Sequence, residues 1–89
     1  MVYLALDRNS ALIILAAVVR DKDAVWIGSD AISEDEYQHF GSEGVKLSRF
    51  IYPLTGESAE VIEDALSTIE EHHPGEVIWV QHVPMVRDR

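Results

Sequence analysis

Short apolar runs separated by polar turns organise the 89 residues. Residues 2–6 are strand-type and stop at Asp7-Arg8-Asn9-Ser10, a cluster whose side chains bond their own backbone and tolerate turn geometry, which predicts a hairpin. Residues 11–19 are apolar at all nine positions, a pattern that suits a strand covered on both faces or a buried helix. Their β-branched content and flanking turns favour the strand. After the polar turn at Arg20-Asp21-Lys22-Asp23, residues 24–28 read as the third strand of an antiparallel meander.

Helical signals begin at Ser33. The Ser33-Glu34-Asp35-Glu36 sequence is a capping box: the Ser33 hydroxyl accepts from the Glu36 backbone N–H while the Glu36 carboxylate reaches back, and Ile32 sits at the staple position for Tyr37. A helix over 34–40 follows, stopping at Gly41, with three acids where the macrodipole favours them. Residues 45–52 alternate Val45, Leu47 and Ile51 against Ser48, Phe50 and Tyr52, a fourth strand ended by Pro53 and Gly56. From the N-cap candidate Ser58, the residues Val61, Ile62, Ala65, Leu66 and Ile69 form the stripe of a second helix, which ends near His72-His73 because Pro74 disfavours helical geometry before it. Residues 77–83 give a fifth strand, apolar on both faces.

The expected fold is therefore an α+β two-layer sandwich in the order β-β-β-α-β-α-β: a mainly antiparallel sheet with two helices on one face, filling a single domain over 1–89 with no linker. Two short helices cannot cover every apolar strand position, so the other sheet face is expected to be a contact surface, with a homodimer or a protein partner as its ordinary use.

Composition narrows the function classes. A chain this short buries roughly 60–65% of its unfolded surface, and an apolar fraction of 47% suffices for one core without a staple. Cysteine is absent, which removes disulfides, thiolate catalysis and Cys-based zinc sites. The apolar run of nine residues is far short of the ~20 needed to span a bilayer, and Met1-Val2-Tyr3 lacks a basic export region, so a cytoplasmic protein without membrane contact is expected. The net charge of -9 opposes direct binding of nucleic acid or anionic lipid.

Charge is also unevenly laid out. No Lys or Arg lies between Phe50 and Val86, where Glu57, Glu60, Glu63, Asp64, Glu70, Glu71 and Glu76 supply seven negative charges. Asp23, Asp30, Glu34, Asp35, Glu36 and Glu43 form a second base-free stretch. Both helices thus present acids without basic i,i+4 partners, either as solvated faces that confer solubility or as a surface that docks on a basic protein. Arg49 shares a strand face with Leu47 and Ile51, so it must reach the rim, a partner, or an acid such as Asp30 or Glu43.

Other chemistry is weakly represented. His72 and His73 sit at a helix C-terminus with His82 on the next strand, but adjacent histidines diverge and no H-x-E or H-E-x-x-H spacing occurs, so a C-cap role is expected and no metal. There is no G-x-S-x-G elbow or phosphate-cradling glycine loop, and the carboxylate pairs Glu63-Asp64 and Glu70-Glu71 diverge on their helix. The aromatic residues lie outside any basic groove and are assigned to the core. No catalytic residue and no cofactor are expected.

In composition and layout, though in no motif, the acidic helices on a small sheet resemble groups of small inhibitory proteins, among them toxin-immunity proteins and nucleic-acid mimics. The expectation is an acidic, non-enzymatic binding protein that inhibits or regulates a basic nucleic-acid-binding or toxin protein. Glu34, Asp35, Glu57, Glu60, Glu63, Asp64 and Glu71 would stand where phosphates bind, with Tyr37 or Tyr52 as the apolar anchor. The alternative is an assembly domain that forms a homodimer through its apolar sheet face.

Overall fold

The computed structural model describes residues 1–18, 22–54 and 57–81. Strands and helices alternate strictly: β1 (Val2–Ala5), α1 (Arg8–Ala17), β2 (Ala24–Ile27), α2 (Glu34–Ser42), β3 (Lys46–Arg49), α3 (Ala59–His72) and β4 (Ile78–Gln81). The four strands form one all-parallel sheet in the order β3-β2-β1-β4.

The mixed helix-and-strand content and the small single domain stand, but the mainly antiparallel sheet and the two helices on one face are overturned. The cause is the apolar run at 11–19. Asp7 starts a helix: it is the N-cap of α1, and its Oδ1 accepts from the Ser10 N–H at 2.8 Å. The buried positions Ser10, Ala11, Ile14 and Leu15 follow helical spacing, while Ile13 is 53% exposed. With a helix between them, β1 and β2 are joined by a crossover and pair in parallel, Val2 opposite Ala24 through Ala5 opposite Ile27.

Strand alternation then separates two cores. Ala5, Val25 and Ile27 point to one face and pack with Ala11, Ile14 and Leu15 of α1, with Ile32, and with Tyr37 and Phe40 of α2. Val2, Leu4, Ala24 and Trp26 point to the other face and pack with Ala65 and Ile69 of α3, flanked by Val61, Ile62 and Leu66. The connections β1→β2 and β2→β3 run toward one edge with helices on one face. The connection β3→β4 runs back past β1 with its helix on the opposite face, so all three crossovers share one hand. Both sheet faces are therefore covered, in three layers, and no open face remains over the central strands.

The strands are also shorter than the sequence suggests. β3 ends at Arg49, leaving Ile51 96% exposed, and Phe50 turns to the α3 side. The expected final strand 77–83 is found over Ile78–Gln81, and its last two positions lie outside the described residues. Among the described residues β4 is an edge strand and only partly shielded: Trp79 and Val80 are 54% and 42% exposed, and Val77 just before it is 65% exposed.

Candidate functional site

The path of the chain after β3 shapes a concavity beside the start of α3. Phe50 donates its N–H to Ile27 O at 2.9 Å, and Ser29 donates to Tyr52 O at 3.0 Å, so residues 50–52 continue alongside the end of β2. Gly28 makes this possible. A Cβ there would lie 2.8 Å from the Leu54 backbone nitrogen, and Leu54 is itself fully buried. The crossing loop extends a row of tilted rings that starts at Trp26 of β2, with Trp26 to Phe50 at 5.3 Å and Phe50 to Tyr52 at 5.3 Å.

Tyr52 thereby becomes one wall of an open groove of about 510 Å³, completed by Pro53, Glu57, Glu60, Val61 and Asp64. Its lining combines the apolar surfaces of Tyr52, Pro53 and Val61 with three carboxylates. Burial, and secondarily the charge of Asp64, push the Tyr52 hydroxyl above the ordinary phenol range. Among the described residues, none of Glu57, Glu60, Glu63, Asp64, Glu70 and Glu71 is ion-paired with a Lys or Arg. Glu63 is exposed on the same helix, and Glu71 borders a smaller concavity with Ser67, Glu70 and Pro74.

The α2 acids have a different setting. Because α2 packs on the face opposite α3, Glu34, Asp35 and Tyr37 do not join the groove. Glu34 accepts from Gln38 at 3.0 Å and from Arg49 at 2.8 Å, and these donors hold its carboxyl below the usual range. The Arg49 guanidinium also lies 4.2 Å from the Tyr37 ring centroid. Glu36 receives a bidentate pair from Arg8 at 2.7 and 2.8 Å and closes the capping box with Ser33, which together lower its carboxyl to about 2. Asp35 is exposed at the first turn.

The nine residues of the expected docking face thus divide. Tyr52, Glu57, Glu60 and Asp64 converge, Glu63 and Glu71 extend the same helix, and Glu34, Asp35 and Tyr37 belong to the other layer. Arg49 finds an acid, but it is Glu34 and neither of the two named from the sequence. The groove also uses Pro53 and Val61, which read from the sequence only as a strand breaker and a core position.

Histidines 72 and 73 close α3. The His72 Nδ1 lies 2.9 Å from Thr68 O, and His73 is the C-cap residue, its backbone N–H bonded to Ile69 O at 2.8 Å. His82 lies outside the described residues. Among the described residues, no group of three or more His, Asp or Glu is placed to hold a metal ion, and no helix is long and apolar enough to cross a membrane. Comparison with protein-family models, curated proteins and solved structures finds no match to this chain.

Proposed function

We propose that this chain is a small non-enzymatic binding protein that inhibits or regulates a basic protein partner, of the nucleic-acid-binding or toxin kind, through the groove at the start of α3. The observation that carries this reading is one juxtaposition. Glu57, Glu60 and Asp64, without a basic counterpart among the described residues, rim an apolar groove walled by Tyr52, Pro53 and Val61. A lysine or arginine side chain could lay its aliphatic stem on the tyrosine and proline while its charge meets the carboxylates. The net charge of -9 would speed encounter with such a partner and disfavour nucleic acid itself. A cytoplasmic setting goes with this reading.

The test uses a lysine- and arginine-rich peptide containing interspersed leucines, titrated into the ¹⁵N-labelled protein. Shift changes are expected at Tyr52, Glu57, Glu60, Val61 and Asp64, weakening as salt rises from 20 to 300 mM and vanishing in the Glu60→Gln/Glu63→Gln/Asp64→Asn variant. Changes spread equally over α2 and α3, or insensitive to salt, would refute it.

A second reading, an assembly domain that forms a homodimer, is favoured by the exposure of Trp79 and Val80 on β4, an edge strand among the described residues, and of Val77 just before it. Light scattering distinguishes the two. A tight dimer, unchanged by salt and dispersed by Trp79→Lys, supports assembly, and a monomer at high concentration excludes it.

A further inference from the structure

We propose that Trp26 and His73 form a proton-sensitive latch that holds the C-terminal end of α3 on the sheet when the His73 imidazole is neutral and releases it when the ring gains a proton. The inference is independent of the groove reading. It starts from a hydrogen bond whose direction is fixed by chemistry. The Trp26 indole N–H can only donate, and it lies 3.2 Å from His73 Nε2. That nitrogen must offer a lone pair, so the proton of the neutral ring sits on Nδ1, which faces Glu76 Oε2 at 3.4 Å.

A second ring proton would set two donors against each other at Nε2. The Trp26 contact would break, and the imidazolium would be drawn to Glu76 and to the carbonyl end of α3. Trp26 would be left with an unpaired N–H in an apolar cluster, since the residue is 9% exposed and packs in one cluster with Phe50, Leu54 and Ile69. His72 differs in this respect. Its Nδ1 faces a carbonyl oxygen, Thr68 O, a contact that a protonated ring keeps.

Among the described residues, the charged and titratable surroundings are few. From the turn after α3 comes Glu76, and from the chain start comes the Met1 ammonium, 3.7 Å from both Glu76 and Asp23. On α3 itself, His72 packs against the Trp26 ring at 5.3 Å, while Glu70 and Glu71 are exposed. Trp26 is the group β2 presents, and behind it Phe50 leads to the Tyr52 phenol. Glu76 thus already has a cation beside it when His73 is neutral. The Trp26 bond, not an ion pair, is what the neutral ring contributes.

Three measurements on the whole chain test the latch. At pH 8, long-range ¹H–¹⁵N spectra of the wild type are expected to show His73 protonated on Nδ1 with Nε2 bare; a proton on Nε2 overturns the proposal. In a Trp79→Phe background, where Trp26 is the remaining indole, titration from pH 8 to pH 5 should shift its Nε1–H resonance. After correction for intrinsic exchange, protection of that proton should fall roughly tenfold, the scale of one neutral hydrogen bond. His73→Gln, whose amide oxygen can still accept from Trp26, should abolish this pH step, and His72→Gln should retain it. A step that survives in His73→Gln, that disappears in His72→Gln, or that is missing from the parent overturns the latch.

Discussion

At the scale of single residues, the contrast between Glu36 and Arg49 separates what sequence can specify from what it cannot. The Ser33–Glu36 capping box is local: both halves lie within four positions, so the spacing alone determines the bonds, and both are present. Arg49 is not local. Its face on β3 could be read, but Glu34 lies 15 positions away and meets it only because α2 folds beside β3. A prediction follows from the lowered Glu36 carboxyl. Its folded value of about 2 lies below the ordinary 4.5, so the unfolded chain binds more protons between those limits. The contribution to stability is whole above pH 4.5 and is lost as pH falls toward 2. Urea midpoints measured across this interval should decline less steeply for Glu36→Gln than for the wild type. A second residue-level prediction concerns Gly28. Gly28→Ala would drive a methyl into the Leu54 backbone, and a loss of roughly 1–3 kcal/mol in urea unfolding is expected, as for other overpacked sites.

The helices show how far periodicity carries a reading. For α3 the apolar stripe was clear, and the positions Val61, Ile62, Ala65, Leu66 and Ile69 all pack as that spacing requires, whereas α2 was marked by its capping box. For α1 it was hidden, because Leu12, Ile13, Ala16 and Ala17 fill with apolar residues the side that normally carries polar ones. With no polar stripe, a ten-residue helix looks like a buried strand, and that one substitution turns parallel crossovers into hairpins throughout the β1–β2 region. The groove was half legible for a related reason: the sequence displays the acids of α3, whereas pairing them with Tyr52 and Pro53 depends on where the loop crosses Gly28. The two serine caps give a prediction at this scale. Ser33 accepts from the Glu36 N–H at 3.1 Å, while the Ser58 side chain makes no cap bond. Ser33→Ala should cost about 1 kcal/mol and Ser58→Ala a few tenths at most, as read from thermal or urea unfolding.

For the whole molecule, the question is what the unbalanced charge costs and what it serves. On α2 and its surroundings the fold supplies counter-charges from α1 and β3, since Arg8 holds Glu36 and Arg49 holds Glu34. Among the described residues none is supplied to the α3 acids, and Glu60 stands at i,i+3 and i,i+4 from Glu63 and Asp64 with Glu57 just before the helix. Like-charge pairs at these spacings each oppose the helix by roughly 0.2–0.5 kcal/mol, so the cluster should destabilise the free protein by up to about 1 kcal/mol. Salt screens exposed charges of this kind. Raising sodium chloride from 20 to 500 mM should therefore increase the melting temperature of the wild type, and the Glu60→Gln/Glu63→Gln/Asp64→Asn variant should melt higher at low salt and gain less from added salt. The same variant is expected to lose the basic peptide. Stability and binding moving in opposite directions on one set of substitutions is the behaviour of a surface kept for a partner at the expense of the fold, whereas a face that only confers solubility would change stability and leave binding as it was.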